Sequence, residues 1–289
     1  MEKEYQIIGG EYVGERALFM LKDTYIEGVR FFDGESPLKE SKNLEIYKTT
    51  FEWKYPLWYA NDIKLKESYF SNTARSGVWY TNNISFESCT IDAQKTFRKS
   101  NHIYLRSCYL NHADETFWFC KDVKLDHVRA AGDYFMMGVD GGEVDRLELD
   151  GNYFLDGAKN VTVRNSILNS KDAFWNTENV TVINSKIIGE YLGWNSKNLT
   201  LINCEISSLQ ALCYIDGLKL INCKLTDSTL CLEYCSKIDA IILDNVISIK
   251  NPTSGIIRLL GSLKYLIVDE NSRAKKGDVR IIFGDGHEI

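Results

Sequence analysis

Five of the six tryptophans in this 289-residue chain fall in one register of a repeat. Trp58, Trp79, Trp118, Trp175 and Trp194 occupy that register, with Arg98 between the second and third. Met137 and Asp156 fill the two steps before Trp175. Flat aromatic faces with charges between them suit sugar rings and other planar ligands that have one apolar and one polar side. Arg75, Arg98 and Lys171, in or beside the row, are placed to hold an anionic group. Asp156, Asp172, Glu115 and Glu190 are the acid-base candidates, one carboxyl acting as acid while a cation stabilises developing negative charge. Taken singly, a charged residue at a strand edge is usually solvated surface.

The elements that position this row are set by the repeat. Val180-Thr-Val182-Ile-Asn184-Ser185-Lys-Ile187 recurs as Leu199-Thr-Leu201-Ile-Asn203-Cys204-Glu-Ile206 and as Leu218-Lys-Leu220-Ile-Asn222-Cys223-Lys-Leu225. A period this short with strand-like alternation means a solenoid. With the first apolar residue of each unit as position zero, the register runs Thr24, Leu44, Ile63, Ile84, Ile103, Val123, Gly142, Val161, Val180, Leu199, Leu218, Ile238 and Leu263. Thr24 is polar at an inward place, Gly142 is a poor strand residue, and the step to Leu263 needs an insertion. Near Asn245 a register beginning at Ile241 is an open alternative.

Positions 0 and +2 make one strand with its apolar side inward. Position +4 is Asn165, Asn184, Asn203 and Asn222 in consecutive units, and Asn tolerates the left-handed backbone of a tight bend. Positions +5 and +7 make a second strand. Position −6 is apolar in Leu57, Val78, Phe97, Phe117, Met136, Leu155, Phe174, Leu212 and Leu232, which predicts a third strand facing the core there. Alternation then turns position −5, the tryptophan row, outward. Stacked about 4.8 Å apart, the row from Trp58 to Trp194 would span about 34 Å. A stripe that long implies a ligand groove or a covered protein interface.

The expected fold is all-β: a single-stranded right-handed parallel β-helix of about 12–13 turns of about 19–21 residues. It forms one domain over 1–289, with residues 1–20 and 270–289 as caps and 21–269 as the helical turns. A leucine-rich repeat shares the period but places its Asn one residue later. Pentapeptide coils need small inward residues where this chain has Phe97, Phe117 and Phe174.

Composition narrows the partners. The formal net charge of −6 disfavours nucleic acid and anionic membranes. No apolar run reaches the roughly 18 residues of a membrane span. Met1-Glu2-Lys3-Glu4-Tyr5 lacks the apolar core of a signal peptide, so a cytoplasmic location is expected. The eight cysteines form no CxxC pair. Cys89, Cys108, Cys204 and Cys223 share one repeat position with Ser166, Ser185 and Val128, which marks small packed residues and reduced thiols. His102, His112, His127 and His287 have no metal-ligand spacing, so neither a metal nor a cofactor is expected.

Certain strings resemble a known family. Glu35-Ser-Pro-Leu-Lys39-Glu40-Ser41, Phe51-Glu-Trp-Lys-Tyr-Pro-Leu-Trp58-Tyr59, Lys171-Asp-Ala-Phe-Trp175-Asn and Gly189-Glu-Tyr-Leu-Gly-Trp194-Asn-Ser-Lys-Asn-Leu are similar to a bacterial family of uncharacterised proteins, a domain of unknown function sometimes labelled "hydrogenase". The resemblance covers about residues 8 to 270 and implies a pectin-lyase-like β-helix. The hydrogenase label fails on chemistry, since nickel and iron-sulfur sites need clustered thiolates. The wider pectin-lyase-like group includes polysaccharide lyases, hydrolases and epimerases with sites on an outer strand face. The resulting expectation is a carbohydrate-like ligand along the Trp/Arg/Asp face, with lyase, hydrolase or isomerase activity. The competing expectation is a non-catalytic scaffold whose aromatic stripe joins a protein or a second copy.

Overall fold

The computed structural model describes residues 3–289. Met1 and Glu2, the start of the segment read for a leader and a cap, lie outside the described residues. The chain is all-β, a parallel β-solenoid of about 14 turns of roughly 19 residues. No helix among the described residues is long and apolar enough to cross a membrane. The chain divides into two compact units, Met1–Leu149 and Asp150–Ile289.

In the first unit, Leu44, Ile63, Ile84, Ile103 and Val123 pair in parallel as expected of position zero. In the second unit, Val180, Leu199 and Leu218 do the same. Thr24 fits the inward register because its hydroxyl donates to the Lys22 carbonyl at 2.6 Å, so no unpaired polar group is buried. The last coils correct the sequence register. Ile238 pairs with Gly255, and Gly255 with Val279, while Leu263 pairs with Val246 on another side of the coil. Gly255 carries no apolar side chain to mark the position. A Cβ there would sit 2.1 Å from the Ile238 carbonyl oxygen, so glycine is required.

The corners explain the polar residues of the repeat. Asn165, Asn184, Asn203 and Asn222 at position +4 all have φ of 51–53°. Their amides also bond along the stack, Asn203 Nδ2 donating to Asn184 Oδ1 at 3.1 Å. The small position-+5 residues are buried, and the Cys108 thiol donates to the Arg106 carbonyl at 3.3 Å. All eight cysteines are free and buried.

The expected third strand is not a strand. Position −6 does face the core, with Phe97, Phe117 and Phe174 fully buried. Yet the segment is a run of turns, with only isolated bridges such as Arg98 to Trp118. Its backbone is left-handed at alternate residues: Glu115 at 53°, Phe117 at 64° and Phe119 at 52°. The pattern is therefore two in and two out. Thr116 and Phe117 point inward, Trp118 and Phe119 outward, and Cys120 inward again.

Inside the first unit, Phe31, Phe51, Phe70, Phe86, Phe97, Phe117 and Phe135 form a continuous buried column, with successive ring centroids 4.6–5.5 Å apart. At the start of the chain, Tyr5–Ile8 pairs with Thr24–Glu27 and Glu11–Val13 with Arg30–Phe32. The segment expected as an N-terminal cap is thus built as a coil like those after it. At the other end, Ile281 and Ile289 exchange backbone bonds of 3.0 Å, so the chain's own return covers the last strand.

Two outcomes follow. Phe117→Ala breaks the phenylalanine column between Phe97 and Phe135 and should cost about 3–5 kcal/mol, read from the denaturant midpoint. The eight thiols should stay silent to an aromatic disulfide reagent in the native protein and react together on unfolding, because burial pushes thiols such as Cys231 up to about 12.

Candidate functional site

The run of turns fixes the tryptophan row. In the first unit, Trp58 stacks on Trp79 with centroids 5.3 Å apart and planes 11° apart. The Arg98 guanidinium then lies 5.0 Å from the Trp79 ring centre and 4.3 Å from that of Trp118. The cation is sandwiched between two indoles, an attraction worth about 0.5–2 kcal/mol. Each ladder side chain is also tied to the next coil. The Nε1 of Trp58 donates to the Ser76 carbonyl at 2.6 Å, that of Trp79 to Lys95 at 2.8 Å, and that of Trp118 to Tyr134 at 3.0 Å. Arg98 makes the equivalent link through the Glu115 carboxylate, which Lys95 also approaches at 3.4 Å. The facing sides of the indoles are therefore occupied by one another and by Arg98, with Tyr55 against Trp58 at 4.4 Å. Arg75 is exposed and has no ion pair among the described residues.

Beside this row lies a second one that sequence reasoning missed. Tyr59, Tyr80 and Phe119 at position −4 are 45%, 37% and 51% exposed. Tyr59 and Tyr80 stack at 5.0 Å with planes 10° apart, and Lys39 Nζ lies 5.7 Å from the Tyr59 ring centre. Lys99, exposed, holds the same position between Tyr80 and Phe119. Strict alternation would have sent position −4 inward. Left-handed backbone at position −4 itself, at Tyr59, Tyr80, Lys99 and Phe119, brings both rows to the surface.

In the second unit, Trp175 and Trp194 lie 5.8 Å apart, and the Trp175 Nε1 donates to the Tyr191 carbonyl at 2.7 Å. The column continues through Tyr214 and Tyr234, 4.2 and 5.2 Å further on, and ends under the Arg273 guanidinium at 4.8 Å. Two members of the expected outward row, Cys213 and Glu233, are buried. Glu233 is held by Lys250 at 3.0 Å and by the Gln210 amide. The Cys213 thiol is pushed up to about 12 by burial, then by the negative charges of Glu233 and Asp172.

The acid-base candidates are placed unequally. Glu115 is engaged by Arg98 and Lys95, and Glu190 by Lys171 at 3.0 Å. Asp156 accepts from the Asn176 amide at 2.9 Å, and Asn176 in turn accepts from Asn195, so Asp156 starts an amide ladder. Asp172 is the perturbed group. Burial raises its pKa, a Tyr153 hydrogen bond opposes the rise, and the Glu190 charge adds to it. No cluster of three metal-ligating side chains occurs among the described residues. Two cavities of about 420 and 320 Å³ open on the first unit, and none of the twelve expected site residues lines either. The larger lies on the outer strand face between Tyr25, Tyr47, Lys64 and Glu87.

A family model described as "Protein of unknown function (DUF3737)" matches residues 5–282, in keeping with the resemblance carried by the sequence strings. No curated protein matches the sequence. Among solved structures, the Streptococcus pneumoniae surface protein and adhesin PfbA is similar at 11% identity and a TM-score of 0.45, covering 91% of this chain and 90% of that one. A mutant tailspike protein of E. coli bacteriophage HK620, in complex with a pentasaccharide, is similar at 10% identity and a TM-score of 0.47, covering 96% and 72%. No site residue is carried over from either.

The raised Asp172 pKa has a signed consequence. The folded state holds its proton to higher pH than the unfolded chain, so the group lowers stability as pH rises through its folded pKa. Asp172→Asn, which keeps an acceptor for Tyr153, should be more stable than the native protein at pH 7. That advantage should vanish below the ordinary carboxylate range, read from thermal melts across pH.

Proposed function

The chain belongs to the DUF3737 family, whose function is unknown, and we propose that it binds a carbohydrate-like ligand laid across the aromatic rows of residues 58–119. The observation that carries this reading is the outer row. Tyr59 and Tyr80 are exposed, stand one coil apart, and have hydroxyls with no hydrogen-bond partner among the described residues. Rings that are apolar at the body and polar at the tip match a ligand with the same mixture. Behind them Trp58, Trp79, Arg98 and Trp118 form a fixed wall, so little side-chain entropy is lost on binding. Lys39, Lys99 and the unpaired Arg75 favour a ligand bearing carboxylate or another anionic group. In the second unit, Trp175 and Trp194 form a further aromatic pair, while Lys171 is held by Glu190.

Should turnover accompany binding at Trp175 and Trp194 within the second unit, Asp172 is the acid-base group we assign there. Its pKa is shifted toward neutrality, as a general acid requires, while Glu115 and Glu190 are committed to cations and Asp156 to an amide. A second reading has its own support. Two adjacent aromatic rows on a run of turns, with Tyr59, Tyr80 and Phe119 exposed, also suit a protein interface, including one with a second copy of this chain.

The test is calorimetric titration of the full chain with acidic and neutral oligosaccharides, alongside sedimentation. Tyr80→Ala and Trp118→Ala should each weaken an acidic oligosaccharide by about tenfold, the scale of one lost aromatic contact. No saturable heat with any acidic sugar, together with a dimer that Tyr80→Ala dissociates, would establish the interface instead.

A further inference from the structure

Trp53 is the tryptophan outside the row, and its surroundings differ from those of the other five. Its ring meets no other aromatic ring, and its Nε1 donates to no group among the described residues. Its ring contact is with the Lys54 ammonium, 5.7 Å from the ring centre. Trp53 also lines the cavity of about 320 Å³, together with Phe32, Asp33, Glu52, Tyr69, Asn72 and Thr73. That volume is at the small end of the roughly 300–1,000 Å³ of ligand pockets, which suits a single ring rather than a chain.

The walls are fixed by their own bonds. Arg30 grips both oxygens of Glu52 at 2.7 and 2.8 Å, and its guanidinium lies 4.3 Å from the Phe32 ring centre. The Tyr69 hydroxyl donates to Asp92 at 2.7 Å, and the Thr73 hydroxyl donates to the Glu52 carbonyl. Among the described residues, the Asp33 carboxylate and the Asn72 amide have no side-chain partner, and the Trp53 indole meets the Lys54 ammonium on its ring without using its Nε1. Together they offer a stacking surface, a strong acceptor, and a group that both donates and accepts. A pyranose is the complement of that set, with an apolar C–H face and a rim of hydroxyls. The negative Asp33, with the Glu52 charge beside it, disfavours a sugar that carries its own carboxylate or sulfate.

We propose that this cleft is a binding site for one neutral pyranose unit, stacked on Trp53 and held through its hydroxyls by Asp33 and Asn72. It is separate from the aromatic rows and does not depend on them. Its work is binding: Glu52 is locked by Arg30, which holds its carboxyl below the usual range, so it does not serve as a proton donor.

The experiment is titration of the full chain with methyl glucoside, methyl galactoside, methyl mannoside, N-acetylglucosamine and glucuronate, read by saturation-transfer NMR and calorimetry. At least one neutral probe should bind saturably, with glucuronate weaker. Trp53→Ala should weaken that probe by about tenfold, Trp53→Phe should retain part of the affinity, and Asp33→Asn should weaken it while relieving the discrimination against glucuronate. Tyr80→Ala should leave it unchanged, which separates this cleft from the rows. Absence of saturable binding by every neutral probe, or affinity that Trp53→Ala does not alter, would overturn the proposal. Circular dichroism of each variant distinguishes lost binding from lost folding.

Discussion

Every feature of this protein depends on coils hydrogen-bonding to the coils above and below in register. Strand partners lie about 4.8 Å apart, so equivalent residues of successive repeats become neighbours and each repeat position becomes a column. The buried column from Phe31 to Phe135 is one consequence. The asparagine corners, the Trp58–Trp79–Arg98–Trp118 stack and the Tyr59–Tyr80 pair are others. None of these side chains meets through a long-range fold. Each meets its counterpart because the backbone brings repeat position to repeat position.

That register costs conformational energy at the corners. Between Asn101 and Cys120, left-handed φ occurs at His102, Ser107, Glu115, Phe117 and Phe119. For non-glycine residues the left-handed region costs about 1–2 kcal/mol each. The bonds to adjacent coils and the buried columns offset that cost. The two functional surfaces proposed here both arise at these corners, where side chains leave the strand pattern.

The sequence made legible what alternation governs. Leu44, Ile63, Ile84, Ile103 and Val123 lie where their apolar spacing placed them, and Asn184 bends the chain as an asparagine should. What alternation does not govern stayed hidden. Glu115, Phe117 and Phe119 are not turn-forming residue types, so nothing in their identity announces left-handed backbone. That is why Tyr59, Tyr80 and Phe119 went unread as surface residues. Gly255 has no side chain to count, and Trp53 falls outside the repeating position of the other tryptophans.

The direction of the backbone bonds has a mechanical meaning. Within either unit they run along the stack, so a pull that separates the first coil from the last opens each ladder a few bonds at a time. Such a structure yields by peeling, coil after coil, at low force. A pull along the strands instead shears many bonds at once and meets greater resistance. Each unit is therefore soft along its axis and stiff around its girth, with one coil as the step between successive openings.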